Sequence, residues 1–120
     1  MNKPVTLQEL FNTGWKKFVI DNEPKSVNSY GSCRYRGQNN TACIIGIYLP
    51  DDLAYKYDKE LILGDEIAEN HPEIFDENTR PNIWRRAQRE LHDDLGLGPR
   101  KEQYEYFAKK HNLTIPGEQI

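Results

Sequence analysis

One stretch of this 120-residue chain, residues 32–49, has the pattern of β-strands, and it constrains the fold more than any other feature. Over residues 32–37, cysteine and tyrosine alternate with two arginines, which is the period-two pattern of a half-exposed strand. Residues 42–49 are more continuously apolar and richer in β-branched side chains, as in a more buried strand. The polar residues 38–41 predict a hairpin turn, since asparagine tolerates positive φ. Gly46 indicates a bulge or a close contact with the backbone.

Helical patterns flank this predicted hairpin. Thr6 and Glu9 form a capping box at the start of the first pattern, and apolar residues at helical spacing follow it. Thr79 is suited to cap the start of a second helix, and Asn112 is suited to end a third. The three main helices are predicted at residues 6–21, 80–94 and 99–111.

We therefore predict an α+β fold in a single domain spanning residues 1–120. In this fold a small antiparallel β-hairpin (about 32–37, 42–49) is packed by an N-terminal helix and two C-terminal helices. The helices must cover the hairpin because two strands are not stable by themselves. Asp51 and Asp52 suit the first turn of a short helix, and residues 65–70 predict another short helical piece.

Composition indicates a globular protein of the cytoplasm. The chain is 37% hydrophobic and 29% charged, and it contains no low-complexity tract. No apolar run approaches the ~20 residues that a membrane span needs, and the N-terminus lacks an apolar stretch of signal-peptide length. In the cytoplasm the two cysteines are expected to be reduced thiols. We expect no membrane association.

Charge is distributed unevenly along the chain. The formal net charge is −3, which argues against nucleic acid as the main partner. Acidic residues dominate residues 51–77, whereas residues 80–89 hold four arginines and no acid. Arg85, Arg86 and Arg89 are predicted on the helix face opposite the apolar face. The acidic segment is either an ordinary solvated surface or a surface that steers a basic partner.

The stretch around the two cysteines resembles a group of small, uncharacterised proteins of bacteriophages and prophages. The shared elements are a Cys-x-Tyr-Arg-Gly segment, a Cys-x-x-Gly segment, a Pro-Asp pair and a His-Asp pair on a later helix. In this chain they read Cys33 to Gly37, Cys43 to Gly46, Pro50-Asp51 and His92-Asp93. The resemblance covers roughly residues 10–95 in the same order.

This chain also departs from that group. The turn carries Asn39-Asn40 where the group tends to have glycine, and Ile47 replaces a cysteine that often occurs there. The resemblance implies a phage or prophage origin and a small role in the host bacterial cytoplasm. It implies no established activity.

Cys33, Cys43, His92 and Asp93 form the first candidate site. Zinc prefers four ligands in tetrahedral geometry, but the ten-residue spacing of the cysteines lacks the local pairs of most structural zinc sites. As a hydrolase, Cys43 would be the nucleophile, His92 the base, and Asp93 or Asp94 would orient it. Neighbouring residues point about 100° apart on an α-helix, which makes Asp93 a poor partner for His92. We predict buried core thiols, with no metal and no cofactor.

Tyr35, Arg36, Arg85 and Arg86 form the second candidate site. Arg36 next to a glycine could hold a carboxylate or phosphate with its planar fork, and the others could complete a site for a nucleotide-like ligand. The alternative is that Arg36 makes a structural salt bridge to Asp51, Asp93 or Asp94 and that His92 caps backbone groups.

These observations favour a phage-encoded accessory protein that acts by binding. Its predicted partner is a host protein, such as a defence or regulatory factor, engaged through the acidic segment or the 80–94 helix. The alternatives are a binder that sequesters a nucleotide-like small molecule and a Cys/His-dependent hydrolase. We predict that the protein is not an enzyme.

Overall fold

Five helices carry the fold in the computed structural model, which describes residues 3–76 and 82–117. In chain order they are α1 (Leu7–Gly14), α2 (Asp51–Glu60), α3 (Gly64–Asn70), α4 (Ile83–Gln88) and α5 (Arg100–His111). Two of them continue as π-helical segments: α1 through Trp15–Ile20 and α4 through Arg89–Asp93. The helices predicted at 6–21, 65–70 and 99–111 are confirmed, and the one at 80–94 is confirmed from residue 83 onwards. Thr79, the predicted cap, lies outside the described residues.

The first helix begins as its sequence predicts. The Thr6 hydroxyl oxygen accepts a hydrogen bond from the Glu9 backbone N–H at 3.1 Å, which satisfies one free donor of the first turn. Leu7, Leu10 and Phe11 face inwards and are buried. Capping and the apolar face therefore act together to fix this helix against the rest of the chain.

Aromatic packing joins α1 to α5 at the centre of the core. The ring of Phe11 lies 5.5 Å from that of Tyr104 and 6.3 Å from that of Phe107. Gly14 permits this approach, because a Cβ atom there would lie 2.6 Å from the Tyr104 hydroxyl. At its end α5 turns into the left-handed conformation at Asn112, with φ 57°, which confirms the predicted C-cap.

The two π-helical segments face each other. Phe18 of the first contacts His92 of the second edge to face, with ring centroids 5.4 Å apart. Side chains of the α5 region hydrogen-bond to carbonyls of both segments: the Tyr104 hydroxyl donates to Leu91 at 2.6 Å, and Arg100 donates to Phe18 at 3.1 Å. These bonds satisfy backbone groups where the helical geometry changes.

The predicted β-hairpin is wrong, and with it the α+β class. In the described parts of the chain, 3–76 and 82–117, no strand is formed and residues pair only in isolated bridges, such as Arg36 with Ala42. The segment predicted as the second strand contains a 3-10 turn at Gly46–Tyr48. The described fold is therefore helical, with an irregular segment, residues 21–50, packed against the helices.

Side chains replace the strand ladder in this segment. The backbone N–H groups of Tyr35 and Arg36 donate to the carboxylate of Asp58 on α2, at 2.6 and 3.0 Å. At Gly46 a Cβ atom would collide with the Tyr35 carbonyl, so the close backbone contact predicted there is confirmed. Asn39 lies in the left-handed region at φ 60°, as the predicted turn requires. The chain bends at Tyr35, where the two N–H groups bonded to Asp58 take no strand partner, while the Tyr35 carbonyl accepts the Cys43 N–H at 3.2 Å.

None of the helices in the described residues is both long enough and apolar enough to cross a membrane.

Candidate functional site

A cavity of about 150 Å³ lies where the irregular segment meets the end of α2 and the π-helical end of α4. Its wall includes several of the residues that the sequence singled out. These residues are Cys33, Tyr35, Cys43 and Asp93, and the polar part of the wall is completed by residues that the sequence did not single out: Arg34, Tyr57, Asp58 and Gln88. The fold thus brings one thiol-rich segment and two carboxylates to a single place, although the residues are up to 60 positions apart in sequence.

The structure brings Cys33, His92 and Asp93 together. Their sulfur, ring nitrogen and carboxylate oxygen atoms lie within 4.8 Å of one another. The Nδ1 atom of His92 is 2.8 Å from Oδ1 of Asp93, so the expectation that these neighbours point apart is wrong. Both residues lie at the end of the π-helical segment Arg89–Asp93, where the chain leaves regular helical geometry. Cys43 lies outside this cluster, as defined among the described residues.

Both ring nitrogens of His92 are committed to the fold. The Ser26 backbone N–H donates to Nε2 at 2.9 Å, so Nε2 carries the lone pair and Nδ1 carries the proton. Nδ1–H then donates to Asp93. A metal ion on either nitrogen would displace one of these bonds, and His92 is completely buried. The residues therefore do not form a ready-made metal site, and His92 holds buried backbone in place.

Both thiols are kept protonated by their surroundings. Burial raises the pKa of Cys33 to about 11, and the negative charge of Asp93 adds to the effect. Burial raises the pKa of Cys43 to about 12, although its sulfur accepts the Gly46 N–H at 3.2 Å. The thiolate is the nucleophilic form of cysteine. This geometry does not support a Cys43-dependent hydrolase.

Ser26 completes a chain of residues that sequence reasoning did not identify. Ser26, His92 and Asp93 follow one another in the order of a hydrolase triad, but the bond to His92 comes from the backbone nitrogen of Ser26. The Ser26 hydroxyl is buried and makes no hydrogen bond to a described residue. Since the residue is fully buried, no substrate reaches it. Nothing in the local sequence could have indicated this contact between positions 26 and 92.

Arg36 is held by the protein itself. Its guanidinium donates to the carbonyl of Gly46, to that of Leu49 at 2.9 Å and to the Asp51 carboxylate at 3.1 Å. Arg36 therefore makes the structural salt bridge to Asp51, which was the alternative to binding an anionic ligand. Arg36 thereby ties the 3-10 turn to the start of α2, and an anionic ligand would have to displace these oxygens.

Tyr35 is likewise part of the packed interior. Its hydroxyl donates to the Ile62 carbonyl at 2.5 Å and accepts from the Gln88 amide at 3.0 Å. Burial raises the pKa of this phenol. Tyr35 lines the cavity, whereas Arg36, Arg85 and Arg86 do not. The four residues proposed for a nucleotide-like ligand are therefore not assembled around that cavity.

The arginines of α4 lie on the surface. Arg85 and Arg86 are exposed and form no ion pair with any residue in the described ranges, whereas Arg89 pairs with Asp94 at 3.1 Å. Trp84 and the other apolar residues of α4 face inwards, as the sequence predicts. The acidic helix α3 packs against α4, and Gln88 accepts the first backbone N–H of α3 at 2.8 Å.

Comparison with protein families, with curated proteins and with solved structures found no match for this chain. The cavity and the exposed arginines are therefore interpreted from their own geometry.

Proposed function

We propose that this chain is a bacteriophage or prophage accessory protein that acts in the bacterial cytoplasm by binding a host protein. The contact is made by the exposed face of α4, through Arg85 and Arg86, and the host protein presents an acidic surface to it. The resemblance around Cys33 to Gly46 supports the origin, and the arrangement of α4 supports the mode of action.

The interior supports binding rather than catalysis. The side chains near the cavity that could take part in catalysis are not free to do so. Cys33 and Cys43 are protonated thiols, and both ring nitrogens of His92 are in hydrogen bonds. An enzyme needs a nucleophile or base that can reach its substrate. These groups instead stabilise the packing of the irregular segment.

The observation that carries the proposal is the pair of exposed arginines, Arg85 and Arg86, which the described residues leave without an ion-pair partner. Arginine is enriched at protein interfaces because its planar fork binds carboxylates in a bidentate manner. Adjacent residues on a short, well-packed helix are also held at a fixed spacing. This face therefore fits an acidic surface on a folded partner.

Charge reversal on α4 tests the proposal. The wild type and the double variant Arg85→Glu/Arg86→Glu are each used to capture proteins from a bacterial lysate, and the captured protein is then purified and titrated. The matched control is Lys109→Glu/Lys110→Glu, which changes the charge equally at two exposed adjacent positions of α5. We expect α4 reversal to weaken binding by at least about tenfold, because complementary charges are replaced by like charges. The control should change binding by less than about twofold.

Salt dependence gives a second measure of the same contact. Affinity of the wild type should fall as ionic strength rises, since exposed charge pairs are screened beyond about 8–10 Å at physiological salt. The proposal fails if the α4 variant retains every host interaction of the wild type, or if the control loses the same interactions as the α4 variant.

A further inference from the structure

Leu61 occupies a backbone conformation that leucine rarely adopts. It ends α2 in the left-handed region, with φ 57° and ψ 42°. Every other non-glycine residue with positive φ in the described parts of the chain is asparagine, at positions 22, 39, 40, 82 and 112. Asparagine and glycine are the residues that tolerate this conformation, whereas a bulky residue there is strained.

The end of α2 closes without the side chain of Leu61. Its backbone N–H and that of Ile62 both donate to the Tyr57 carbonyl, which closes the end of the helix without help from the side chain. The side chain itself is 70% exposed. The helix end would form at least as well with asparagine, so a leucine at this position points to a contact outside the chain.

Leu61 stands at the mouth of the cavity. Leu61, Ile62 and Leu63 form its apolar side, and Leu63 is also partly exposed, at 45%. The backbone of Ile62 is fixed, because its carbonyl accepts the Tyr35 hydroxyl. A volume of about 150 Å³ is close to that of a cavity that holds benzene, and therefore fits one side chain of moderate size.

One acceptor remains open in this cavity. Both oxygens of Asp58 accept backbone N–H groups, and Oδ1 of Asp93 accepts Nδ1–H of His92. Oδ2 of Asp93 accepts no hydrogen bond from a nitrogen or hydroxyl of the described residues, and the thiol of Cys33, a weak donor, lies beside Asp93. The side chain of Asp93 is 31% exposed, so this oxygen can receive a donor that enters from solvent.

Within the described residues, neither nearby cation forms an ion pair with the Asp93 carboxylate. Arg34 lines the cavity, but it donates to the Cys33 carbonyl and forms no ion pair with Asp58 or Asp93. Lys25 donates to the main-chain carbonyl of Asp93 at 2.9 Å and not to the carboxylate. A single free carboxylate oxygen suits the compact ammonium of lysine better than the two-pronged guanidinium of arginine.

We propose that this cavity binds a lysine side chain presented by a partner protein. The ammonium pairs with Asp93, the alkyl stem lies along Ile62 and Leu63, and the peptide groups on either side of the lysine cover Leu61. A free amine of the same size would leave Leu61 uncovered, which is why the occupant is part of a protein. This site goes beyond the proposed function and uses none of the α4 arginines.

The test uses Nα-acetyl-lysine methylamide as a probe, in which the side-chain ammonium is free. The control is the norleucine analogue, which has the same alkyl stem and no ammonium. Methyl-group NMR of the leucines measures binding, without any host protein present, so the outcome is independent of the contact made by α4. We expect the lysine probe to shift the Leu61 and Leu63 methyl signals, with a dissociation constant in the millimolar range typical of one side chain. The norleucine probe should bind at least about fivefold more weakly, since it lacks the charge.

Three variants separate this site from a structural role. Asp93→Asn keeps an acceptor for His92 but removes the charge, and it should weaken lysine binding to the level of the norleucine probe. Leu61→Asn should raise the melting temperature and weaken binding of the probe. Leu97→Asn is the control, because Leu97 is 83% exposed and lies outside the cavity lining. The proposal is overturned if norleucine binds as well as lysine, or if Leu61→Asn or Asp93→Asn leaves lysine binding unchanged.

Discussion

His92 provides the sharpest test of how the irregular segment is held. The residue is completely buried, accepts the Ser26 N–H at Nε2, donates to Asp93 from Nδ1 and packs against Phe18. The substitution His92→Phe keeps an aromatic ring of similar size at this position but removes both nitrogens. The substitution His92→Gln keeps an acceptor near the position of Nε2.

The expected cost of His92→Phe follows from the groups left behind. A buried N–H without an acceptor costs about 1–3 kcal/mol, and loss of the bond to the partly exposed Asp93 costs about 1 kcal/mol more. Burying a phenyl ring in place of the imidazole offsets about 1 kcal/mol of this total. The net loss is therefore about 1–3 kcal/mol, a large share of the 5–15 kcal/mol that stabilises a typical domain.

Urea unfolding measures this loss. The two tryptophans, Trp15 and Trp84, are buried and report the transition by fluorescence. We expect His92→Phe to lower the free energy of unfolding by this amount and His92→Gln to retain at least about 1 kcal/mol more of it, because the Ser26 N–H keeps an acceptor. The reasoning is refuted if His92→Phe stays within about 0.5 kcal/mol of the wild type, or if His92→Gln is the less stable of the two.

Three further predictions concern the cavity wall. At pH 8 both thiols should react with iodoacetamide far more slowly in the native protein than in urea, because burial holds the pKa of Cys33 at about 11 and that of Cys43 at about 12. Equal labelling rates in the native protein and in urea would contradict this account. Because these pKa values are raised above the ordinary value of 9.0, the thiols stabilise the fold fully below pH 9 and lose that contribution as the pH rises towards 11 and 12. Urea titrations at pH 8 and pH 10 measure this loss of stability. Replacing Leu61 with asparagine or glycine should raise the free energy of unfolding by about 1 kcal/mol, because the left-handed conformation then costs less, and a loss of stability in both variants would show that Leu61 serves the fold.

The helices could be predicted because their signals are local. The Thr6 capping box, the apolar spacing of α5 and the terminal Asn112 each act within a few residues, so the sequence alone determines them. The turn asparagines and the close approach at Gly46 were also predicted correctly, for the same reason.

The hairpin could not be excluded from the sequence. Alternation around Tyr35 is typical of a strand, but the chain bends at Tyr35 and forms only isolated bridges at Cys33 and Arg36. The backbone N–H groups of Tyr35 and Arg36 donate to Asp58, which lies more than 20 residues later and on a different element. A carboxylate that takes the place of a neighbouring strand leaves no periodic pattern in the sequence.

The candidate site was predicted in part for a similar reason. Residue types pointed to Cys33, His92 and Asp93, which the structure places together. The side-chain contact between His92 and Asp93 and the left-handed backbone of Leu61 have no local sequence signal. The sequence allowed two roles for Arg36, binding of an anionic ligand or a structural salt bridge. In the structure its guanidinium contacts Gly46, Leu49 and Asp51, which is the structural role.

The contacts of the irregular segment also bear on the order in which the protein folds. Ser26 is joined to His92 across 66 positions, and Tyr35 to Asp58 across 23. Such bonds stabilise the chain only after long loops have closed, so we expect this segment to become ordered after the helices have docked. We expect substitutions at His92 or Asp58, whose side chains accept these bonds, to accelerate unfolding while leaving the folding rate nearly unchanged, with φ-values near zero in stopped-flow kinetics. Values near one would instead place this segment in the folding nucleus.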